Sequence, residues 1–128
     1  MLKEFYTKAM PDEGVYCVAF NTPGTTSFNH EYTTSLEEAI TLIHKYTKES
    51  KNTFIAMGTF ETKERKAANT KYVKSLYLDL DVGETKDYAS QKEALLALTK
   101  FIEDTKLPFP AVVNSGNGIH AYWFLKTQ

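Results

Sequence analysis

The chain has 128 residues, which is close to the usual size of one compact domain. With 42% hydrophobic residues and a net charge of −1, the composition excludes a disordered chain and any global basic field that would attract nucleic acid or an anionic membrane. The single cysteine, Cys17, cannot form an intramolecular disulfide, and no apolar run approaches the ~20 residues of a membrane helix. We therefore expect a cytoplasmic, single-domain globular protein without a membrane partner.

The first half of the chain alternates strand and helix patterns. Residues 14–20 (GVYCVAF) and 52–60 (NTFIAMGTF) are rich in β-branched and aromatic side chains, so both are predicted as strands. A capping box that begins at Ser35, followed by apolar residues at helical spacing, predicts a helix over residues 36–47. Residues 61–74 are predicted as a polar linker with a local positive charge. Its five basic residues are Lys63, Arg65, Lys66, Lys71 and Lys74.

The clearest strand pattern begins at Ser75, where apolar and polar residues alternate cleanly. One face takes Ser75, Tyr77, Asp79 and Asp81, and the other takes Leu76, Leu78, Leu80 and Val82. Two like charges on one strand face repel each other unless a cation or water separates them. Because Mg²⁺ and Mn²⁺ prefer oxygen ligands and share them with substrate phosphates, Asp79 and Asp81 are candidate metal ligands. The alternative interpretation is a strand end that emerges into solvent.

A helix and two further strands follow the acidic strand. Ser90 and Glu93 form a second capping box, and an apolar stripe predicts a helix that ends before Pro108. Residues 111–114 and 119–125 are predicted as short strands. The predicted order is therefore strand, helix, strand, strand, helix, strand, strand, which is typical of an α/β fold with helices packed on a mixed sheet.

The turn between the last two strands is the second candidate site. In the run Ser115, Gly116, Asn117, Gly118, small residues allow a ligand to approach backbone N–H groups, and His120 follows on the strand. Such a turn suits a phosphate, and a strand–helix–strand unit can bring it beside the end of the acidic strand. The alternative interpretation is an ordinary hairpin turn followed by a structural histidine.

The remaining candidates carry a weaker signal. His30 falls in a predicted polar loop and His44 on the first helix, and neither has ligand spacing to a partner. Tyr72, Tyr77 and Tyr122 are predicted to stack on nucleic-acid bases if they lie exposed on the sheet. The basic linker is expected to bind phosphate oxygens if it lies beside a polyphosphate site.

The combined pattern resembles the catalytic core of archaeo-eukaryotic-type primases, in particular the primase-polymerases of phages and plasmids. The similarity covers about residues 52–125, and the first fifty residues match this family much less clearly. Its segments are 78–83 (LDLDVG), 107–110 (LPFP), 113–120 (VNSGNGIH) and 122–125 (YWFL), together with the helix after Tyr88 and, upstream, residues 60–69.

The resemblance implies an RRM-like strand–helix–strand–strand unit and a nucleotidyl transferase that makes or extends DNA primers. It implies that Asp79 and Asp81 are catalytic and bind Mg²⁺ or Mn²⁺. The implied contacts to the incoming triphosphate are Ser115, Gly116, Gly118 and His120, and the implied contacts to phosphate or template are Arg65, Lys66 and Asn69. The implied partners are nucleoside triphosphates, a single-stranded DNA template with its primer, and a helicase domain or protein, in the cytoplasm of a bacterium or a phage-infected host.

The sequence departs from the family pattern at one point. Family members carry a third acidic residue on a later strand, and this sequence reaches Gln128 before any such segment. We therefore expect residues 1–128 to be the N-terminal part of a primase-polymerase core that is inactive or very weak alone, because two carboxylates bind a metal pair poorly. The alternative is a non-catalytic single-stranded nucleic-acid or nucleotide-binding module of RRM-like fold. A metal-dependent nuclease or a replication initiator is a more distant alternative.

Overall fold

The protein is described by a computed structural model that covers residues 2–126. Within these residues the fold is mixed α/β, with three α-helices and three sheets. The described chain forms two compact units, one of residues 2–74 with Lys126 and the other of Ser75–Leu125. None of the described helices is long and apolar enough to cross a bilayer. The expectation of a single domain stays a prediction.

Two helices and a three-stranded sheet build most of the first unit. Its elements are α1 (Leu2–Ala9), β1 (Tyr16–Asn21), β2 (Asn29–Thr33), α2 (Leu36–Lys48) and β3 (Asn52–Ile55). The strands lie in the order β2-β1-β3, and both neighbouring pairs are antiparallel. Helix α2 begins as predicted, because the Ser35 hydroxyl accepts the Glu38 N–H at 3.2 Å. The buried core of this unit includes Met10, Tyr16, Val18 and Ala39.

Strands β4 (Gly58–Phe60) and β5 (Thr70–Val73), separated by a 3-10 helix over Ala67–Asn69, form a two-stranded sheet in the first unit. The prediction of one strand over residues 52–60 is therefore wrong, because β3 pairs with β1 whereas β4 pairs with β5. The prediction of a linker over residues 61–74 is wrong for the same reason, since β5 lies within it. These pairings are long-range, so local composition does not reveal them.

Strand β2 occupies residues that the sequence predicts as a loop, so the placement of His30 in a loop is wrong. The strand is mostly exposed or half-buried, and only Thr33 is buried. Exposed polar residues carry little strand signal, and the strand forms because the β1 edge supplies hydrogen-bond partners along its length. Helix α1 has no counterpart among the predicted elements, whereas His44 lies on α2 as predicted.

The second unit follows the order strand–helix–strand–strand, as predicted. Its elements are β6 (Ser75–Asp81), α3 (Gln91–Thr105), β7 (Ala111–Asn114) and β8 (Gly118–Phe124). Strand β8 lies between β6 and β7 and is antiparallel to both, so β6 and β7 run in the same direction without pairing. Helix α3 packs on one face of this sheet. The core between helix and sheet comprises Leu80, Ala94, Leu98, Ile119 and Ala121.

The predicted mixed sheet does not form. Every pair of neighbouring strands among the described residues is antiparallel, and the strands divide into three sheets. The physical reason in the second unit is the short hairpin between β7 and β8, which turns β8 back against β7. Because β8 inserts between the two strands that α3 connects, those strands never become parallel neighbours.

Tyr46 on α2 joins the helix to the first sheet by two different contacts. Its ring stacks on Phe20 with the centroids 3.7 Å apart, and its hydroxyl donates a hydrogen bond to Glu31 Oε1 at 2.5 Å. The hydrogen bond to the carboxylate, together with burial, raises the pKa of Tyr46 to about 12. Because this pKa exceeds the ordinary value of 10.0, the contact stabilises the fold fully below pH 10 and is lost as the pH rises towards 12.

We expect Tyr46→Phe to lower the free energy of unfolding near neutral pH by about 1 kcal/mol and to remove a pH-dependent step. Between pH 10 and about 12 the wild-type protein should lose stability more steeply than the variant, because only the wild type ionises this phenol against Glu31. Urea unfolding at several pH values measures the difference. Glu31→Gln should flatten the same step, and an equal pH dependence in all three proteins would contradict the assignment.

Candidate functional site

The register between β6 and β8 gathers the two predicted acidic residues and the histidine on one face of the sheet. Asp79 lies directly opposite His120 in the antiparallel pair. Asp81 lies opposite Gly118, at the end where β8 begins. Residues opposite each other in an antiparallel pair share a face, so both carboxylates and the imidazole lie on the face that does not carry the core residue Leu80.

Asp79, His120 and Tyr122 lie next to one another on this face. The His120 Nε2 atom lies 3.3 Å from Asp79 Oδ1, and the Nδ1 atom lies 3.2 Å from the Tyr122 hydroxyl. A carboxylate only accepts hydrogen bonds, whereas the roles in the contact between His120 and Tyr122 depend on which imidazole nitrogen carries the proton. The Asp79 side chain is 50% exposed and the His120 side chain 31%, so solvent and ligands reach both.

A cavity of about 280 Å³ lies along β6 within the second unit. Its lining includes both Asp79 and Asp81, a third acid from the following loop, Asp87, and apolar residues of α3 such as Phe101. The loop is held against the strand end because the Gly83 N–H donates to the carbonyl of Tyr88 at 3.0 Å. Because consecutive residues of β6 line it together with α3, the cavity lies along the free edge of this strand.

The turn after β7 lies beside the end of the acidic strand, as the strand–helix–strand order predicts. The Val82 N–H donates to the Asn117 carbonyl at 2.8 Å, which ties the turn to β6. Within the turn, the Ser115 N–H donates to the Gly118 carbonyl at 3.0 Å, and the Gly116 N–H donates to Asn114 Oδ1 at 2.8 Å. Two backbone donors are thus used internally, as in an ordinary hairpin turn, and a phosphate contact by Ser115 or Gly116 stays a prediction.

Gly118 has a structural reason to be glycine that requires no ligand. A Cβ atom at this position would lie 2.0 Å from the Leu80 carbonyl oxygen, and the residue is buried. No side chain fits between the two strands here. Gly116 differs, because its φ angle of +88° lies in the left-handed region while a Cβ atom would meet nothing within 4 Å.

Gln91 is a residue of this site that sequence reasoning missed. It is the first residue of α3, and its Nε2 atom donates to the Gly118 carbonyl at 3.0 Å and lies 3.4 Å from Asn114 Oδ1. Its Oε1 atom is buried and has no hydrogen-bond partner among the described residues. The available signal was its position directly after the cap residue Ser90, where a helix start faces the neighbouring turn.

The predicted contacts Arg65, Lys66 and Asn69 belong to the first unit. The Asn69 amide donates to the carbonyls of Thr62 at 3.1 Å and Glu64 at 2.7 Å, which organises the loop before β5. Lys66 Nζ lies 2.8 Å from a Glu64 carboxylate oxygen in an exposed ion pair. Asn69 and Lys66 therefore have internal partners, and contacts of these three residues to phosphate or template stay predictions.

The three candidate stacking tyrosines lie in different surroundings. Tyr77 is exposed on the sheet of the second unit, with its ring centroid 5.9 Å from that of Tyr122. Tyr122 itself is buried, so it is not a free platform for a base. Tyr72 belongs to β5 in the first unit, where a hydrogen bond to the Glu13 carboxylate raises the pKa of the phenol. Only Tyr77 of the three is thus placed to stack on a ligand at the acidic face.

The donor set is smaller than a resident metal centre needs. Within residues 2–126, no group of three or more His, Cys, Asp and Glu side chains is placed to hold a metal ion together. Asp79 and Asp81 still offer the oxygen ligands that Mg²⁺ prefers, and Mg²⁺ is commonly held by one or two carboxylates plus substrate phosphates. These residues fit an ion that arrives with a nucleotide better than one that the protein holds alone.

Comparisons with known proteins leave the chain without an identified relative. A scan against protein-family models, a search of curated proteins and a search of solved structures each found no match. The resemblance to primase-polymerases therefore rests on the sequence motifs and stays a prediction.

Gly118→Ala should lower the free energy of unfolding by about 1–3 kcal/mol, the usual cost of an added group in a packed position. The reason is that the added Cβ atom would clash with the Leu80 carbonyl oxygen. Neither strand can move away from this clash without breaking the pairing between β6 and β8. Gly116→Ala is the matched control, since only its positive φ angle opposes the change, at about 1 kcal/mol. Chemical unfolding measures both. Wild-type stability in Gly118→Ala would show that the strands are not held this closely.

Proposed function

We propose that the chain is part of a DNA-dependent primase-polymerase that makes or extends primers by metal-dependent nucleotidyl transfer in phage- or plasmid-type replication. The observation that carries the proposal is the placement of Asp79 and Asp81 on one face of β6, with His120 opposite Asp79. The order β6-α3-β7-β8 with β8 at the sheet centre supports our interpretation of the second unit as RRM-like. The proposed substrates are nucleoside triphosphates, a single-stranded DNA template and its primer.

The proposed roles follow from the chemistry of the side chains. Asp79 and Asp81 hold Mg²⁺ or Mn²⁺ through carboxylate oxygens, and they are exposed enough for the ion to reach them. The ion, when bound, neutralises phosphate charge and activates the attacking 3′ oxygen. Ser115, Gly116 and Gly118 form the turn beside the metal ligands, where the triphosphate binds in this proposal. The positive charge needed there is supplied by the ion, because the turn itself carries none.

His120 is proposed to contact a phosphate oxygen of the nucleotide. Its Nε2 atom lies 3.3 Å from Asp79 Oδ1, and its Nδ1 atom contacts the Tyr122 hydroxyl. If Asp79 held a cation, the Nε2–H of the imidazole would be available to donate to a phosphate oxygen. The Tyr122 hydroxyl holds the other side of the ring in place.

The second candidate function is a non-catalytic module that binds single-stranded nucleic acid or nucleotides. It is favoured by the absence of any three-ligand metal group within residues 2–126 and by the exposed ring of Tyr77 on the acidic face. Stacking on an aromatic ring needs no metal. The dependence of nucleotide binding on Mn²⁺ therefore separates the two functions.

Asp79→Asn and Asp81→Asn should each weaken Mn²⁺-dependent binding of a nucleoside triphosphate at least tenfold while the fold survives. Each change removes one carboxylate charge from an ion that has two protein ligands. Isothermal titration with a deoxynucleoside triphosphate, with Mn²⁺ and then with a chelator, measures the metal-dependent part. Asp104→Asn is the matched control, because this exposed carboxylate pairs with Lys100 on α3. Nucleotide binding that is equal with and without Mn²⁺ would favour the non-catalytic module.

His120→Ala should weaken the same Mn²⁺-dependent nucleotide binding by about tenfold or more. Hydrogen bonds to charged groups contribute about 1.5–3 kcal/mol, and 1.4 kcal/mol corresponds to tenfold in affinity. Tyr122→Phe, which keeps the ring and removes the hydroxyl bonded to Nδ1, should cause a smaller loss. If His120→Ala binds the nucleotide like the wild type, His120 is a structural partner of Asp79 and not a phosphate ligand.

A further inference from the structure

The sheet β2-β1-β3 of the first unit has two unlike faces. One face carries Tyr16 and Val18 of β1, which are buried in the core with Ala39 of α2. Side chains alternate along a strand, so Ala19 belongs to the opposite face. The register places His30 of β2 and Phe54 of β3 on either side of Ala19. We call this opposite face, with its rings Phe28, His30, Tyr32 and Phe54, the aromatic face.

Three of the four rings of the aromatic face are exposed, whereas Ala19 between them is buried and Tyr32 is half-buried. Phe28 is 41% exposed and Phe54 is 55% exposed, and their centroids lie 5.6 Å apart at an interplanar angle of 68°. His30 is also exposed, and its ring centroid lies 6.4 Å from that of Tyr32. The face therefore offers two neighbouring pairs of rings on a rigid sheet.

Arg65 adds a positive charge to this face. Its backbone N–H donates to the Tyr32 hydroxyl at 3.2 Å, which ties the loop of Arg65 to β2. Arg65 lines a cavity of about 300 Å³ together with Ala19, Phe28, Phe54 and Ile55. Among the ion pairs of residues 2–126, several include basic residues of the same segment but none includes Arg65. A guanidinium without a carboxylate partner beside two exposed rings is complementary to an anion that carries a flat group.

We propose that the aromatic face binds single-stranded nucleic acid, with a base stacked on the exposed ring of Phe54 beside Phe28 and its phosphate on Arg65. Stacking on aromatic rings combined with backbone charge neutralisation is the usual chemistry of single-strand binding. A strand offers more contacts than a free nucleotide, because a second ring pair, His30 and Tyr32, lies on the same face of the sheet. This proposal rests on the proposed function only where it takes the bound nucleic-acid strand to be the template. The binding itself needs no metal.

The test is fluorescence anisotropy of the full chain with a labelled oligo-dT of about 12 nucleotides, a length within the 4–16 that single-strand modules cover. The buffer contains a chelator, so that the metal-dependent site does not contribute. Phe54→Ala and Phe28→Ala should each weaken binding about tenfold, in line with the loss of one stacked base. Phe54→Leu, which keeps an apolar side chain but no ring, should show the same loss. Phe109→Ala is the matched control, because Phe109 is 67% exposed and belongs to the second unit.

Salt dependence tests the role of Arg65 separately. Each phosphate contact to a single strand contributes about 0.7 to the slope of log K against log salt concentration, so Arg65→Gln should reduce that slope by about 0.7. Phe54→Ala should weaken binding without changing the slope. Lys48→Gln is the matched control, since Lys48 lies on α2, which packs on the other face of the sheet. An oligo-rU arm of the same length tells an RNA ligand from a DNA ligand.

Two outcomes would overturn the proposal. One is strand affinity that is unchanged in Phe54→Ala, Phe54→Leu and Arg65→Gln. The other is a wild-type dimer in sedimentation that Phe54→Ala dissociates, because a second copy of the chain would then cover this face. This test is independent of the metal site. If Phe54→Ala loses strand binding but keeps Mn²⁺-dependent nucleotide binding, the result supports this proposal. If the wild-type protein binds nucleotide equally with and without Mn²⁺, the result contradicts only the proposed function.

Discussion

The close approach of β8 to β6 at Gly118 is the constraint on which the candidate site depends. With the Leu80 carbonyl oxygen 2.0 Å from where a Cβ atom would lie, only glycine allows the two strands to pair up to the end of β6. That pairing fixes the register, and a slip of one residue would turn Asp79 and Asp81 towards the face that α3 covers. The need for glycine at position 118 therefore has a structural explanation that involves no ligand. The carboxylates and His120 lie together because the two strands can pair closely at a residue without a side chain.

The sequence predicts the second unit much better than the first, and the reason is physical. Strand β6 alternates apolar and polar residues, and the Ser90 hydroxyl caps α3 by accepting the Glu93 N–H at 3.2 Å, so both elements are encoded locally. Strands β2 and β5 are largely exposed, and each forms by pairing with a segment that is separate in sequence. The local sequence pattern does not predict such pairing. For the site, alternation predicts that Asp79 and Asp81 share a face, but the contact of Asp79 with His120 depends on the β6–β8 register and was not predictable.

The contact between Asp79 and His120 changes how both residues are interpreted. A histidine at the start of a strand has an ordinary structural explanation once a carboxylate lies 3.3 Å from Nε2 and a tyrosine hydroxyl 3.2 Å from Nδ1. In the proposed function, a cation held by Asp79 would replace the contact with His120. Metal binding would therefore free the imidazole for another partner.

In the proposed function, a site with two carboxylates would couple the binding of the metal to the binding of the nucleotide. Because Mg²⁺ and Mn²⁺ require about six oxygen ligands, an ion on Asp79 and Asp81 keeps most of its positions for water or phosphate oxygens. The triphosphate then supplies ligands that the protein lacks, and by linkage each of the two raises the affinity for the other by the same factor. A third acid, Asp87, lines the same cavity from the loop after β6. In the proposed function, such coupling would make the free protein a weak metal binder whose site the nucleotide completes.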